Sequence, residues 1–154
     1  MIPTLETLNH ELLRERYAAQ AAFIAAGQDS IPLLTAGLAP TNPEEIRWRA
    51  AAALVWIKDV AVIPALEQAA VGAEYELKYN CIWGLGQLAD PATIPYLMAI
   101  VNADDRESPD VRYNAALALA RLGQAESLRP ALESTTEATY RVAHGALATA
   151  RYGF

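Results

Sequence analysis

The sequence predicts an all-α solenoid of five short helix pairs. Three observations carry that prediction. A short phrase recurs along the chain, as Ile2-Pro3-Thr4-Leu5, Ile31-Pro32-Leu33-Leu34, Ile63-Pro64-Ala65-Leu66 and Ile94-Pro95-Tyr96-Leu97, with a degenerate copy at Leu128-Arg129-Pro130-Ala131-Leu132. Its spacings are 29, 32, 31 and 34 residues, and a near-constant period of this length marks stacked units rather than one globular core. Interleaved with it, a cation beside an aromatic recurs as Arg16-Tyr17, Arg47-Trp48, Lys78-Tyr79 and Arg112-Tyr113, and inverted as Tyr140-Arg141. No strand pattern competes, since there is no sustained two-residue alternation and no Asn-Gly or Asp-Gly hairpin turn.

Each repeat divides into two helices. First helices are expected near 3–13, 31–38, 63–71, 93–102 and 127–134, and second helices near 14–26, 44–57, 74–88, 109–122 and 137–151. In the first helices the proline of the phrase falls in the first turn, where its missing N–H costs nothing and its fixed φ suits the helix. Ile63 and Leu66, three apart, share a face. Ser108-Pro109 reads as an N-cap followed by proline. Asn42-Pro43 with Glu45 repeats that pattern before the helix at Arg47, and Asp90-Pro91 does so in the turn before Ile94. In the second helices, apolar residues recur at helical spacing, as Val111, Ala115, Ala118, Leu119 and Leu122, and as Ile46, Ala50, Ala53, Leu54 and Ile57. Alanine at such positions lets neighbouring backbones approach closely. These helices stop at Gly27, Lys58, Ala89, Gly123 and Arg151. The expectation is one repeat domain over 1–154, with repeats of about 1–28, 29–59, 60–90, 91–124 and 125–154.

Bulk composition narrows the function classes. The apolar fraction of 53% suffices for stacked helices, and the net charge of −6 argues against binding nucleic acid through its phosphates. A single cysteine excludes an internal disulfide and fits a reducing compartment. Residues 1–13 lack a basic n-region, and the longest apolar run, Ala50 to Ile57, is too short to span a bilayer. A soluble, cytoplasmic protein is therefore expected. The one enlarged connection, Asn102 to Pro109 with Asp104, Asp105, Arg106 and Glu107, reads as a solvated loop or as an acidic contact loop.

The element Val111-Arg112-Tyr113-Asn114-Ala115-Ala116-Leu117-Ala118-Leu119-Ala120-Arg121-Leu122-Gly123 resembles the short HEAT-like repeat named after the phycobilisome lyases. So does the stretch from Leu77 to Pro91. The resemblance covers essentially the whole chain, more weakly at its ends. It implies a right-handed superhelix of HEAT-like helix pairs with the second helices lining a concave side. It does not fix an activity, since the same repeat occurs in bilin lyase subunits, phycobilisome-degradation proteins, hydroxylases and scaffolds. The di-iron hydroxylase branch carries several His-Glu pairs as metal ligands. Here only His10-Glu11 forms that dipeptide, and the other histidine, His144, precedes Gly145, so no metal site is expected.

The register yields a candidate surface. Positions one, five and nine after each opening cation read Tyr17, Ala21, Ala25; Trp48, Ala52, Trp56; Tyr79, Trp83, Gln87; and Tyr113, Leu117, Arg121. The last helix gives Arg141, Gly145 and Thr149. All three tryptophans fall on this strip, off the core stripe. Arg47, Arg49, Lys78, Arg112 and Arg121 border it, and Asn80 and Asn114 share one register beside it. An aromatic floor with cationic edges can hold a protein segment or a flat conjugated molecule bearing carboxylates. The same aromatics can instead cover the gaps between alanine-rich helices. The candidate partner-binding residues are Trp48, Trp56, Tyr79, Trp83, Tyr113, Arg49, Arg112, Arg121, Asn80 and Asn114.

The remaining residues point away from catalysis. Cys81 aligns with Ala50, Ala115 and Ala143, so a buried thiol is expected there. His144 aligns with Ala51, Ile82 and Ala116, which predicts packing near the core. Glu44, Glu45, Glu74 and Glu76 open second helices, where negative charge suits the helix dipole. No phosphate loop, zinc spacing or nucleophile–base constellation is present, so no catalytic residue and no cofactor is expected. The leading expectation is a non-catalytic adaptor or chaperone-like scaffold that grips a protein segment or subunit. The alternative implied by the resemblance is a bilin lyase subunit or bilin-handling protein, with bilin as ligand and a phycobiliprotein or a second HEAT-repeat chain as partner. The C-terminal helix, ending in Tyr152 and Phe154, is a candidate for end-on association.

Overall fold

The computed structural model describes residues 1–103, 106–133 and 137–152. Asp104 and Asp105 of the acidic connection, and Phe154, lie outside the described residues. The helices are α1 (Leu13–Ala26), α2 (Ile31–Gly37), α3 (Glu44–Ile57), α4 (Ile63–Ala70), α5 (Tyr75–Leu88), α6 (Ile94–Val101), α7 (Pro109–Arg121), α8 (Arg129–Leu132) and α9 (Glu137–Tyr152). Short 3₁₀ turns precede α2, α4, α6 and α8. No strand occurs among the described residues. The chain divides into two compact units, Met1–Gly84 and Leu85–Phe154, and the division falls within α5.

The recurring phrase does what its proline predicts. Pro32, Pro64, Pro95 and Pro130 all sit in the first turn of their helices. Asp59 and Asp90 cap the turns ahead of α4 and α6, accepting from the amides of Ala61 at 2.9 Å and Ala92 at 2.8 Å. Ser108 caps α7 by accepting from the Val111 amide at 3.3 Å. Asn42 departs from expectation. It does not cap α3 but donates to the carbonyls of Ala36 at 2.9 Å and Gly37 at 3.2 Å, closing the end of α2 instead.

The first and last first-helices are shorter than expected. In place of a helix over 3–13, residues Leu5–Asn9 form a 3₁₀ turn with one buried residue, Leu8. Leu5 and Leu8, three apart, match the 3₁₀ period, and two apolar anchors are too few to hold a longer helix. Leu5 packs toward α2, where a Cβ on Gly37 would lie 3.0 Å from its Cδ2 and 3.0 Å from the Ala50 Cβ. The helix expected over 127–134 divides into the turn Ala125–Leu128 and the four residues of α8.

Four second helices stop at a residue of positive φ, whatever its type. Gly27, Lys58, Ala89 and Gly123 have φ of 58°, 59°, 51° and 76°. Each stop needs a positive φ, which glycine supplies without strain at only two of them; Lys58 is in the left-handed helical region, whereas Gly27 has a ψ of −130°.

Small residues set the distance between consecutive second helices. In the first unit, a Cβ on Gly84 of α5 would lie 2.1 Å from Cγ2 of Val55 on α3. In the second, a Cβ on Gly86 of α5 would lie 2.9 Å from the Ala118 Cβ on α7. The two contacts are the same register step, from the eighth residue after one opening cation to the sixth after the next. The stripe this seam buries is fully inaccessible at Ala50, Ala53, Leu54, Leu77, Cys81, Leu85, Ala115 and Leu119. Ile57 and Leu122, expected in it, are half-buried at the helix ends.

Gly84→Ala is therefore expected to destabilise the protein by about 1–2 kcal/mol in urea unfolding, overpacking against Val55 outweighing the better helix propensity of alanine. In a Val55→Ala background the same change should become neutral or stabilising. Ala89→Gly should stabilise by about 1 kcal/mol, because the strain at its left-handed φ disappears. A fall in urea midpoint for Ala89→Gly would contradict that account.

Candidate functional site

Positions one, five and nine after each opening cation are accessible in both units. None of these residues, from Tyr17 on α1 to Thr149 on α9, is buried. They are accessible because the seam turns the opposite stripe of each second helix inward.

In the first unit the strip is aromatic. Tyr17 is 64% exposed and Trp56 is 52% exposed, while Trp48, Tyr79 and Trp83 are half-buried. Trp56 on α3 meets Trp83 on α5 with ring centroids 6.0 Å apart and planes tilted by 55°. Tyr75 and Tyr79, one turn apart on α5, lie 5.8 Å apart. Tyr75 is exposed and extends the aromatic surface by one turn. Its i, i+4 spacing to Tyr79 was legible in the sequence but lay outside the three positions used to define the strip.

Arg49 joins this surface at one end. Its guanidinium lies over the Trp48 ring, 4.6 Å from the centroid. It donates to the Leu8 carbonyl at 3.0 Å and to Asn9 Oδ1 at 2.6 Å. Partial burial, followed by the charge of Arg16, lowers its pKa from the ordinary arginine value. A cavity of about 200 Å³ opens here, lined by Leu8, Leu13, Arg16, Tyr17, Gln20, Trp48 and Arg49. A separate cavity of about 350 Å³ lies away from the aromatics, between α2 and α4 beside Arg47 and Val71.

The second unit uses the same register differently. The Tyr113 hydroxyl and Thr149 Oγ1 are 2.6 Å apart, and a Cβ on Gly145 would lie 3.3 Å from the Tyr113 ring. Tyr113 therefore fastens α7 to α9, covering the gap between two helices. Arg121, at the end of α7, is exposed.

Arg112 corrects the sequence expectation. It was placed on the border of the strip, but it is 1% exposed. Its Nε and Nη2 both donate to the Val101 carbonyl at 3.2 Å, at the end of α6. Arg47 donates through Nε to the Leu38 carbonyl at 3.1 Å, just past α2, and Arg16 donates through Nε to the His10 carbonyl. The opening cations of these three pairs thus satisfy carbonyls that the preceding element leaves without an intrahelical partner.

Asn80 and Asn114 make the same bond in different repeats. Each donates through Nδ2 to the carbonyl four residues back, Asn80 to Glu76 at 2.8 Å and Asn114 to Asp110 at 2.9 Å. Cys81 is wholly buried, and burial pushes its thiol up to about 12, outweighing the opposing charge of Arg47. The helix-opening glutamates interact across α3 and the residues before α5. The Glu44 carboxyl is held above the usual range, chiefly by a hydrogen bond with Glu74 and then by desolvation and charge repulsion from Glu74, Glu45 and Glu76.

His144 is the second correction. It shares its register with the buried Ala51, Ile82 and Ala116, yet it is exposed and stacked on Tyr140 with centroids 5.7 Å apart. That face of α9 is uncovered, so equivalence of register does not carry equivalence of burial.

Sequence reasoning missed Arg16 as a member of the site. It lies 33 residues from Arg49, and no local pattern links them. The only available signal was its place as the opening cation of α1.

Comparison with known proteins identifies the architecture. The family model for HEAT repeats matches residues 71–150, more than half of the chain. The model for the PBS lyase HEAT-like repeat matches residues 46–72, which carry Trp48 and Trp56. No curated protein sequence matches the chain. Among solved structures, the chain is similar to one in the complex of CpcE and CpcF of phycocyanin lyase from Nostoc sp. PCC7120. The TM-score is 0.62 at 16% identity, covering 97% of this chain and 64% of that one. The chain thus spans less than two thirds of that neighbour's length.

Arg112→Met is expected to lower stability by about 2–3 kcal/mol, since it leaves the buried Val101 carbonyl without its charged donor. Differential scanning calorimetry checks this. A melting temperature equal to that of the wild type would show that the tether contributes nothing.

Proposed function

We propose that this chain, which belongs to the HEAT-repeat family, is a non-catalytic binding protein that grips a protein segment on the aromatic face of α1, α3 and α5. The observation that carries this reading is Trp56, an indole 52% exposed although it already packs against Trp83. Large aromatics left accessible in a row, with Tyr17, Trp48 and Tyr75 beside them, match the residue types that dominate binding hot spots. No helix of the described residues is long and apolar enough to cross a membrane. The solved neighbour is one chain of a two-protein complex, which favours a protein as partner. A second HEAT-repeat chain and a phycobiliprotein are the two partners to try first.

A second reading has its own support. The PBS lyase repeat match covers the segment bearing Trp48 and Trp56, and the neighbour is named for phycocyanin lyase. On that reading the aromatic face handles a bilin, with arginines available to its carboxylates. Absorbance separates the two, because a bilin held on the face shifts and intensifies its visible band, and an unchanged spectrum removes this reading.

Trp56→Ala and Trp83→Ala should each weaken capture of the partner at least about tenfold, as loss of a hot-spot aromatic does, while leaving the fold intact by circular dichroism. The partner is first identified by pull-down from native lysate and then titrated by calorimetry. Unchanged affinity with a lowered melting temperature would show that the indoles only pack helices.

A further inference from the structure

We infer that the pocket between α1 and α3, walled by Arg16, Arg49 and Trp48, receives the carboxylate of an acidic side chain presented by the bound protein segment. This rests on the reading of the aromatic face as a protein-binding surface and names the chemistry of one contact on it.

Charge comes first. Arg49 gives its hydrogen bonds to the Leu8 carbonyl and the Asn9 side-chain amide oxygen, and Arg16 gives its own to the carbonyls of His10 and Glu11. All four acceptors are neutral. Two guanidiniums therefore share one half-buried pocket, and among the described residues no carboxylate is bonded to either. Glu45 attracts Arg49 without a hydrogen bond, while the charge of Arg16 opposes it. Partly desolvated like charges side by side are unfavourable, and a carboxylate entering between them relieves both the repulsion and the lost hydration.

The pocket also has the right rigidity. Arg49 is fixed by its two bonds and by the Trp48 ring beneath it, so little side-chain freedom is lost when a ligand binds. Its fan of N–H donors matches a carboxylate in geometry as well as in charge.

Size selects the source of the carboxylate. The cavity of about 200 Å³ is below the range of whole small-molecule sites and suits one side chain. The remaining wall is apolar at Leu8, Leu13 and the exposed Tyr17, which suits the methylenes of a glutamate and an apolar neighbour in the same segment. From this pocket the aromatic surface continues along α3, so a segment anchored here by its acid can run on toward Trp56.

The test uses the whole protein and two small probes, acetyl-Leu-Glu-Leu-amide and its glutamine isostere acetyl-Leu-Gln-Leu-amide. Two-dimensional NMR follows the three indole N–H resonances, assigned with Trp→Phe variants. The Trp48 resonance should respond to the glutamate probe with affinity about tenfold above that for the glutamine probe, the preference a charge-assisted hydrogen bond confers. Added salt should shrink that preference. Arg49→Gln should abolish it, and so should Arg16→Gln if Arg49→Gln disturbs the fold. Equal response of Trp48 to both probes in the wild type, or none to either, overturns the proposal without recourse to any variant. Such a failure leaves the wider surface reading standing, because that reading depends on Trp56→Ala and Trp83→Ala losing the partner. If those variants keep the partner while Trp48 still prefers glutamate, the carboxylate pocket stands and the surface reading falls.

Discussion

The close approach of consecutive second helices is the constraint on which the rest depends. Val55 on α3 meets Gly84 on α5, and Gly86 on α5 meets Ala118 on α7, by the same register step. A glycine or alanine at these points removes the side chain that would hold the backbones apart. Once the seam closes, each second helix has no rotational freedom left. Its alanine- and leucine-rich stripe turns inward, and the positions one, five and nine after the opening cation turn outward. The accessible aromatics are thus a consequence of how the alanines and glycines pack.

Aromatics of the strip serve two ends in the two units. Tyr113 reaches α9 and bonds to Thr149, so in the second unit an aromatic at this position joins helices. Trp56 and Trp83 also touch across neighbouring helices, yet Trp56 keeps half of its surface in solvent. Tyr113, at position one of its helix, lies against Gly145 on α9, whereas Trp56, at position nine of its own, meets Trp83 on α5 and stays half in solvent. Packing and accessibility are thus shared out among different positions of the strip.

The cations divide in a similar way. An arginine at the opening of a second helix faces the end of the element before it, where carbonyls lack intrahelical donors. Arg16, Arg47 and Arg112 all answer that need. Burial then separates them, since Arg112 is enclosed while Arg16 remains half-buried beside Arg49. Arg49, two residues past an opening cation, bonds instead to the turn at Leu8 and Asn9, and it lines the same pocket as Arg16.

The fold was legible in the sequence because its signals are local. A proline in the first turn, an aspartate cap and a helical apolar stripe each act within a few residues, and a repeating array multiplies them until chance is excluded. The accessible strip was legible too, because helical periodicity alone separates it from the core stripe. Tertiary structure decided which members of the strip remain exposed, that Arg112 is enclosed, that His144 is uncovered and that Arg16 and Arg49 share a pocket. Those outcomes depend on what the facing helix presents, and contacts between residues a repeat apart leave no periodic trace in the chain.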